Sequence, residues 1–382
     1  MITSRNAGQA VLQGGQKGAR TKGAGTESEP MEIFELMAER EHEQLAFWSD
    51  PAIGYRGVIA IHDTTLGPAL GGTRFWNYDS EREAVVDALR LSRGMTYKAA
   101  IAGLDLGGGK SVIIGDNKVR DREMIFRAHG RAVESLGGRY ITAEDVGTSV
   151  DDMEWIHMET DHVVGVYGGS GDPSPVTAYG VYRGIRAAAH FRYGEDGLAG
   201  KHVAVQGVGH VGYYLCRHLT AEGVRLTVTD IDPERVKRVV DELGATAVEP
   251  DRIYAVDADI FAPCALGSVI DDDTLEVFRF DIVAGAANNQ LASSERHGKA
   301  IQQKGILYAP DYVINAGGLI NVYGELKGWN PERAKRKAGE IYSTLLRIFE
   351  HADELGIPTS EAADSVAQQR LMQARHLQRS WL

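Results

Sequence analysis

The chain has 382 residues, 43% apolar and 25% charged, with 45 glycines, which is more than one ordinary core requires and enough for about two domains. Fifty-three acidic against 41 basic residues give a net charge of -12. That field repels phosphate backbones and anionic headgroups, which excludes nucleic acid and membrane partners.

Residues 1–30 hold six glycines, four basic and two acidic residues and no aromatic side chain. Without apolar periodicity they cannot offset the entropy of ordering, so a disordered extension is expected. Met31-Glu32-Ile33-Phe34-Glu35-Leu36-Met37 opens an amphipathic helical pattern, and Met31 is the expected functional start. Beyond it, short apolar runs at Val58 to Ile61, Val112 to Ile114, Val203 to Val205 and Leu226 to Val228 alternate with longer helical patterns. Such alternation marks an α/β protein. No apolar run approaches the roughly 20 residues that span a bilayer. Cys216 and Cys264 lie far apart without metal-ligand spacing, which predicts no metal site and reduced thiols in a cytoplasmic protein.

Ser80-x-x-Glu83 reads as a capping box for a helix carrying Ala84, Ala88, Leu91 and Met95 on one face. The same spacing then lands on Lys98. A lysine ending an apolar stripe either snorkels past the helix terminus or meets an anion in a pocket. Twelve residues on, Gly107-Gly108-Gly109-Lys110 precedes the apolar Val112-Ile113-Ile114. Three glycines there predict close approach of a ligand or cofactor ring, the alternative being a glycine-rich hairpin with a surface lysine. A lysine desolvated in such a site near a second ammonium has a lowered pKa and becomes a general base.

Tyr140 to Gly147 reads as a strand ending in Glu144 and Asp145. Strand ends carry the working groups of α/β proteins, and side-chain alternation lets only one of the two carboxylates face a given cleft. A solvated acidic turn is the other reading. Gly168-Gly169-Ser170-Gly171-Asp172-Pro173-Ser174-Pro175 reads as the connection between two domains and as their hinge.

Lys201 to Gln206 is a short buried strand pattern followed by Gly207-Val208-Gly209-His210-Val211-Gly212, with a helix expected near Val211. This is the dinucleotide fingerprint in its proper setting. Gly207 makes the turn, Gly209 admits a pyrophosphate and Gly212 lets the helix pack on the strand. Asp230 ends the next strand pattern 18 residues after Gly212, where a carboxylate accepts hydrogen bonds from ribose hydroxyls and repels a 2′-phosphate. NAD is therefore expected over NADP. Near the C-terminus, Asn330-Pro331 starts a helix that carries Ile341, Leu345, Ile348 and Ala352 and is broken by Ile357-Pro358.

Gly67 to Arg74, Gly94 to Lys98, Gly107 to Lys110, Gly171 to Gly180 and Ala309 to Gly318 together resemble the Glu/Leu/Phe/Val amino-acid dehydrogenase family, its leucine-specific branch most of all. The resemblance runs in matching order from Met31 to near the C-terminus. It implies a two-domain α/β fold, with a substrate-binding and oligomerisation domain over 31–172 and a Rossmann NAD-binding domain over 173–356. A last helix over 357–382 would return to the first domain, and the protein would be a homo-oligomer, often an octamer.

The resemblance also implies roles. Lys98 would bind the substrate carboxylate, with Gly71, Gly72 and Met95 lining the site. Lys110 would activate the water that attacks the iminium, and Asp145 would carry protons to and from the amine. Thr177, Asn288 and Asn289 would lie beside the nicotinamide and substrate. Leu70, Ala143, Leu319 and Val322 would form the side-chain pocket, with Leu70 and Val322 standing where glutamate-specific relatives have lysine and serine. A glutamate carboxylate would be buried unpaired there, at a cost of several kcal/mol. The implied reaction is NAD-dependent oxidative deamination of a branched-chain L-amino acid to the 2-oxo acid and ammonia. A phenylalanine or valine preference, and a non-catalytic NAD-binding homologue, stand as alternatives.

Overall fold

A computed structural model describes residues 32–380 apart from 170, 196 and 266. The expectations for residues 1–30 and for Met31 lie outside the described residues, as does Ser170 of the expected hinge.

The chain begins with α1 (Ile33–Glu39), β1 (Gln44–Asp50), β2 (Tyr55–Asp63), β3 (Ala69–Trp76), α2 (Glu81–Ile101), β4 (Gly107–Ile114), α3 (Glu123–Glu134), β5 (Tyr140–Glu144) and α4 (Val150–His157). It continues with α5 (Ser174–Tyr193), β6 (His202–Gln206), α6 (His210–Ala221), β7 (Arg225–Thr229), α7 (Pro233–Leu243), β8 (Thr246–Ala247), β9 (Ile260–Pro263), α8 (Asp272–Val277), β10 (Ile282–Val283), α9 (Ser294–Gln303) and β11 (Leu307–Tyr308). Five helices follow: α10 (Asp311–Ile314), α11 (Gly317–Leu326), α12 (Pro331–Gly339), α13 (Ile341–Leu355) and α14 (Thr359–Ser380). None of the described helices is long and apolar enough to cross a membrane.

Two sheets result. The first runs β1-β2-β4-β3-β5, with β2 antiparallel to β1 and β4, and β3 parallel to β4 and β5. The second is wholly parallel and runs β11-β10-β9-β6-β7-β8. This doubly wound order reverses between β6 and β9, and ligands bind such sheets in the crevice at the carboxyl ends of those strands.

Local details depart from the sequence pattern in three places. The α1 pattern buries no residue, and Phe34 is exposed; only Leu36 and Met37 lean on a core cluster. In α2, the Ser80 hydroxyl accepts from the Glu83 N–H, but the Glu83 carboxylate accepts from Asp79 rather than from Ser80, so the capping box is not reciprocal. Its buried stripe is Ala84, Val85, Ala88, Leu89, Ser92 and Thr96, with Leu91, Met95 and Lys98 on a half-buried flank. The single helix expected after Asn330 is two: α12 and α13 meet at Glu340, and Gly356 in a left-handed conformation stops α13 before Ile357-Pro358 is reached.

The last helix joins the two halves. At its start Thr359 Oγ1 donates to Tyr308 O at 2.7 Å, on the second sheet. Further along, Gln368 donates to the Tyr97 hydroxyl at 2.9 Å and Arg370 to the Ala100 carbonyl at 2.8 Å, both on α2. Arg375 then pairs with Asp63, which is 2% exposed at the end of β2.

Candidate active site

Lys110 lies within β4, not before it, and is 5% exposed. Its Nζ donates to Asp145 Oδ2 at 2.5 Å, and Arg74 Nε donates to the same oxygen at 3.2 Å. β3 brings Arg74, and the turn after β5 brings Asp145; Glu144, its neighbour, is exposed. Burial drives Lys110 below the ordinary lysine value, against the opposing pull of Asp145. Burial works to raise the Asp145 carboxyl, but Lys110 and Arg74 outweigh it and hold it below its ordinary value. The cation that adds to the lowering of Lys110 is the Arg74 guanidinium, not the second ammonium that the sequence suggested.

The glycines around this pair answer to protein atoms. A Cβ at Gly108 would lie 2.1 Å from the Thr96 nitrogen, and one at Gly109 would lie 2.5 Å from the Tyr140 ring. At Gly71 it would meet the Gly109 carbonyl oxygen at 1.7 Å, and at Gly72 the Asp145 Cβ at 2.7 Å. The expectation that a ligand or cofactor ring approaches Gly107 to Gly109 is therefore corrected: α2, Tyr140 and neighbouring strands already fill that space. Close packing brings Gly72 against Asp145 and so sets the turn after β5 against β3.

A buried polar network braces the same strands from within. The Tyr140 hydroxyl donates to Gly71 O at 2.5 Å and lies 3.1 Å from Ser111 Oγ. Thr73 Oγ1 lies 2.7 Å from Ser111 Oγ and 2.6 Å from Thr142 Oγ1. His129, whose pKa burial lowers to about 3, is neutral and meets the Tyr55 hydroxyl at 2.9 Å. Such satisfied networks fix strand positions because leaving any member unpaired is costly.

Lys98 does not snorkel. Its Nζ donates to Asn315 Oδ1 at 2.7 Å, across to the second half of the molecule. Burial lowers its pKa to about 8, with Asp311 opposing. Asp311 is held by the N–H groups of Gln290 and Tyr312, at 3.0 and 2.7 Å. Leu70 and Leu319 are buried in one apolar cluster, against which Met95, Ala143 and Val322 pack partly exposed. Tyr323 joins the cluster, and its hydroxyl donates to Asp105 at 3.4 Å.

In the second half, β6 ends at the fingerprint turn and α6 starts at His210. Gly207 has φ +92°, and a Cβ there would press on Ala265 at 2.6 Å. A Cβ at Gly212 would lie 2.0 Å from the Gly207 oxygen. At Gly209 it would meet only Arg235 Nη1, at 3.6 Å, so the space before this backbone is open. The first N–H groups of α6, from His210 and Val211 onward, face an N-terminus where a phosphate can accept them. Val208 is buried and its N–H donates to Asp230 Oδ2 at 2.8 Å, while Asp230 Oδ1 accepts from Asp232 N at 3.0 Å. The carboxylate is thereby fixed at the end of β7, and an open glycine turn beside an anchored acid fits a dinucleotide.

Thr177 stands in the first turn of α5, its hydroxyl donating to Pro173 O at 2.9 Å, and Gly317 and Gly318 of α11 pack against it. Asn288 Oδ1 accepts from Asn315 Nδ2 at 2.7 Å. Asn289 is exposed with φ +50°, and its carbonyl accepts from Ser268 N at 2.6 Å, so its backbone shapes the turn.

The sequence reading gave no role to Arg74, Asn315 or Asp311. Alternation along β3 places Arg74 on the same face as Gly72. Asn315 and Asp311 are polar residues in the otherwise apolar run from Tyr308 to Ala316.

Comparison with known proteins matches residues 42–162 to the Glu/Leu/Phe/Val dehydrogenase dimerisation domain. Residues 168–234 and 227–379 match the Glutamate/Leucine/Phenylalanine/Valine dehydrogenase domain. The chain is 58% identical over 355 residues to a leucine dehydrogenase of Thermoactinomyces intermedius, covering 92% of this chain and 97% of that enzyme. It is 48% identical to a phenylalanine dehydrogenase of Bacillus thermotolerans, over 90% and 91% of the two chains. Among solved structures, L-tryptophan dehydrogenase from Nostoc punctiforme superposes with a TM-score of 0.83 at 48% identity, covering 90% of this chain and 99% of that one.

Proposed function

The chain belongs to the Glu/Leu/Phe/Val dehydrogenase family, and on that premise we propose that it oxidatively deaminates branched-chain L-amino acids, leucine foremost, with NAD. The observation that carries this reading is the pair of cleft lysines, Lys98 and Lys110, each withdrawn from water and each with one polar partner. The leucine dehydrogenase relatives support the substrate class, and the anchored Asp230 supports NAD over NADP.

Lys98 binds the substrate α-carboxylate, with Gly71, Gly72 and Met95 around it. Leu70, Ala143, Leu319 and Val322 take the aliphatic side chain. Bound NAD would supply the acceptor for the Cα hydride; the backbone at Gly209, His210, Val211 and Gly212 would hold its pyrophosphate, Asp230 its ribose, and Thr177, Asn288 and Asn289 its nicotinamide end. Lys110, its proton surrendered, takes a proton from the water that attacks the iminium carbon, and Asp145 moves protons on and off the departing nitrogen. Burial of Lys110 limits competition from bulk water for these protons. The two free cysteines fit work in the cytoplasm, and the matched dimerisation domain supports a homo-oligomer, which we take to be an octamer. Residues 31–172 with α14 form the substrate domain and 173–356 the nucleotide domain.

The direct test runs the reaction backwards. NADH oxidation by 4-methyl-2-oxopentanoate should require ammonium and should fall at least a thousandfold, roughly, in Lys110→Ala, with NADH affinity nearly unchanged. Ammonium-independent oxidation would contradict the reading.

A further inference from the structure

We propose that Arg74 is a positioning residue of this reaction: it clamps the Asp145 carboxylate against Lys110 and keeps Lys110 a base. The inference rests on the function proposed above, and it stands on the geometry of one carboxylate between two cations.

Arg74 uses two edges of its guanidinium. Nε donates to Asp145 Oδ2 at 3.2 Å and Nη1 to Asp87 Oδ2 at 2.6 Å. Asp87 is itself held by the Tyr78 hydroxyl at 2.7 Å and by Arg90 at 2.9 Å. The side chains of Arg74, Asp87 and Asp145 are 21%, 15% and 26% exposed, so solvent screens the chain of charges only in part. The charged groups around Arg74 are thus Asp87 of α2 with its partner Arg90, Lys110 of β4 and Asp145 of the turn after β5, with the Tyr78 phenol beside them.

The chemistry requires such a clamp. When Lys110 gives up its proton to become a base, Asp145 loses one of its two cations in a site that solvent screens only in part. A carboxylate left with a neutral amine would draw the proton back. Arg74 remains charged at every pH of interest, so Asp145 stays ionised and in place while Lys110 cycles between amine and ammonium. The same fixed charge disfavours a second ammonium beside it. A lysine at position 74 would supply charge without the fork that spans Asp145 and Asp87.

Against Arg74 lies an open groove of about 1020 Å³, lined also by Trp76, Tyr78, Asp87, Arg90 and Val146 among others. Through it a small cation can reach the place an Arg74 truncation would vacate.

The experiment compares pH profiles of kcat for leucine oxidation in the wild type, Arg74→Ala and Arg74→Lys. The substrate amine is common to all three, so a difference between profiles belongs to the protein. Removing a cation raises the pKa of the neighbouring base, and a raised base pKa moves the acid limb to higher pH. Arg74→Ala should therefore shift that limb up by about 1 pH unit or more, with kcat lowered and the KM for leucine and for NAD little changed. Millimolar guanidinium should restore part of the activity in Arg74→Ala and none in Lys110→Ala. Arg74→Lys should keep the wild-type limb with a several-fold lower kcat. The pH dependence of Lys110 labelling by an amine-reactive reagent, located by mass spectrometry, reads the same equilibrium without turnover. If the wild type fails to oxidise leucine, the proposed function fails and the labelling profile still decides the inference. An unshifted limb and labelling profile in Arg74→Ala, or full wild-type kcat in Arg74→Lys, would overturn it.

Discussion

The Nζ of Lys98 on α2 lies 2.7 Å from Oδ1 of Asn315, immediately after α10, so the two halves of the molecule meet at the lysine that ends a helix flank of otherwise apolar residues. Asn315 in turn donates to Asn288 at 2.7 Å and to Ala286 O at 3.1 Å. One side-chain amide thus ties the proposed carboxylate site to the proposed nicotinamide site.

Lys98 has a pKa lowered to about 8 by burial, and only its ammonium form attracts a carboxylate. Above that pH the free enzyme loses the charge, so the KM for leucine should rise with pH on the alkaline side. Lys98→Met should raise that KM about a hundredfold at neutral pH and abolish this pH dependence. Initial-rate measurements from pH 7 to 10 check both; a flat KM in the wild type would remove Lys98 from carboxylate binding.

Asp230 spends one hydrogen bond on Val208 N and one on Asp232 N, yet each carboxylate oxygen keeps lone pairs for a ribose. Asp230→Ala should weaken NAD about tenfold and narrow the preference for NAD over NADP, with Arg235 standing beside Gly209 to meet a 2′-phosphate. The ratio of kcat/KM for the two nucleotides measures it. An unchanged ratio would count against the ribose role.

Leu319 is 6% exposed in the cluster that includes Leu70. Leu319→Ala should move relative kcat/KM from leucine toward phenylalanine by about 1 to 3 kcal/mol. Thermal unfolding should show a cost of about 2 kcal/mol or more from the vacated volume. A destabilised variant with unaltered preference would place Leu319 in the core and outside the pocket.

Arg375 pairs with buried Asp63 and so fastens α14 to the first sheet. Burial pushes the Asp63 carboxyl up, but Thr65 and Arg375 together hold it below its ordinary value. A carboxyl lowered on folding stabilises above its unfolded pKa and loses that contribution as pH falls through the folded one. Arg375→Ala should cost about 1 to 2 kcal/mol at neutral pH, and the difference from wild type should shrink as pH falls below the ordinary carboxyl range and through the lowered folded pKa. Paired denaturation curves at pH 7 and pH 3 test the sign.

Where the chemistry is local in the chain, the sequence carried it. The glycine turn before α6, Asp230 at the end of β7 and the carboxylates closing β5 depend on a few successive residues and can be read from spacing. Pairings such as Arg74 with Asp145 and Lys98 with Asn315, 71 and 217 residues apart, depend on which strands become neighbours and on how the halves meet. The rotated stripe of α2 was hidden for another reason. Ser92 and Thr96 are buried because they bond His42 and His62, at 2.9 and 2.8 Å, so the inward face is partly polar and apolar periodicity misses it. The run Gly107 to Gly109 does not show what approaches it, because a missing side chain leaves room equally for a ligand and for another strand.

The most direct measurement is NAD reduction followed spectrophotometrically with a panel of L-amino acids. Leucine, isoleucine and valine should be oxidised with NAD, leucine with the highest kcat/KM, and glutamate should give little or no rate. Absence of turnover on every apolar amino acid, or a preference for glutamate, would contradict it.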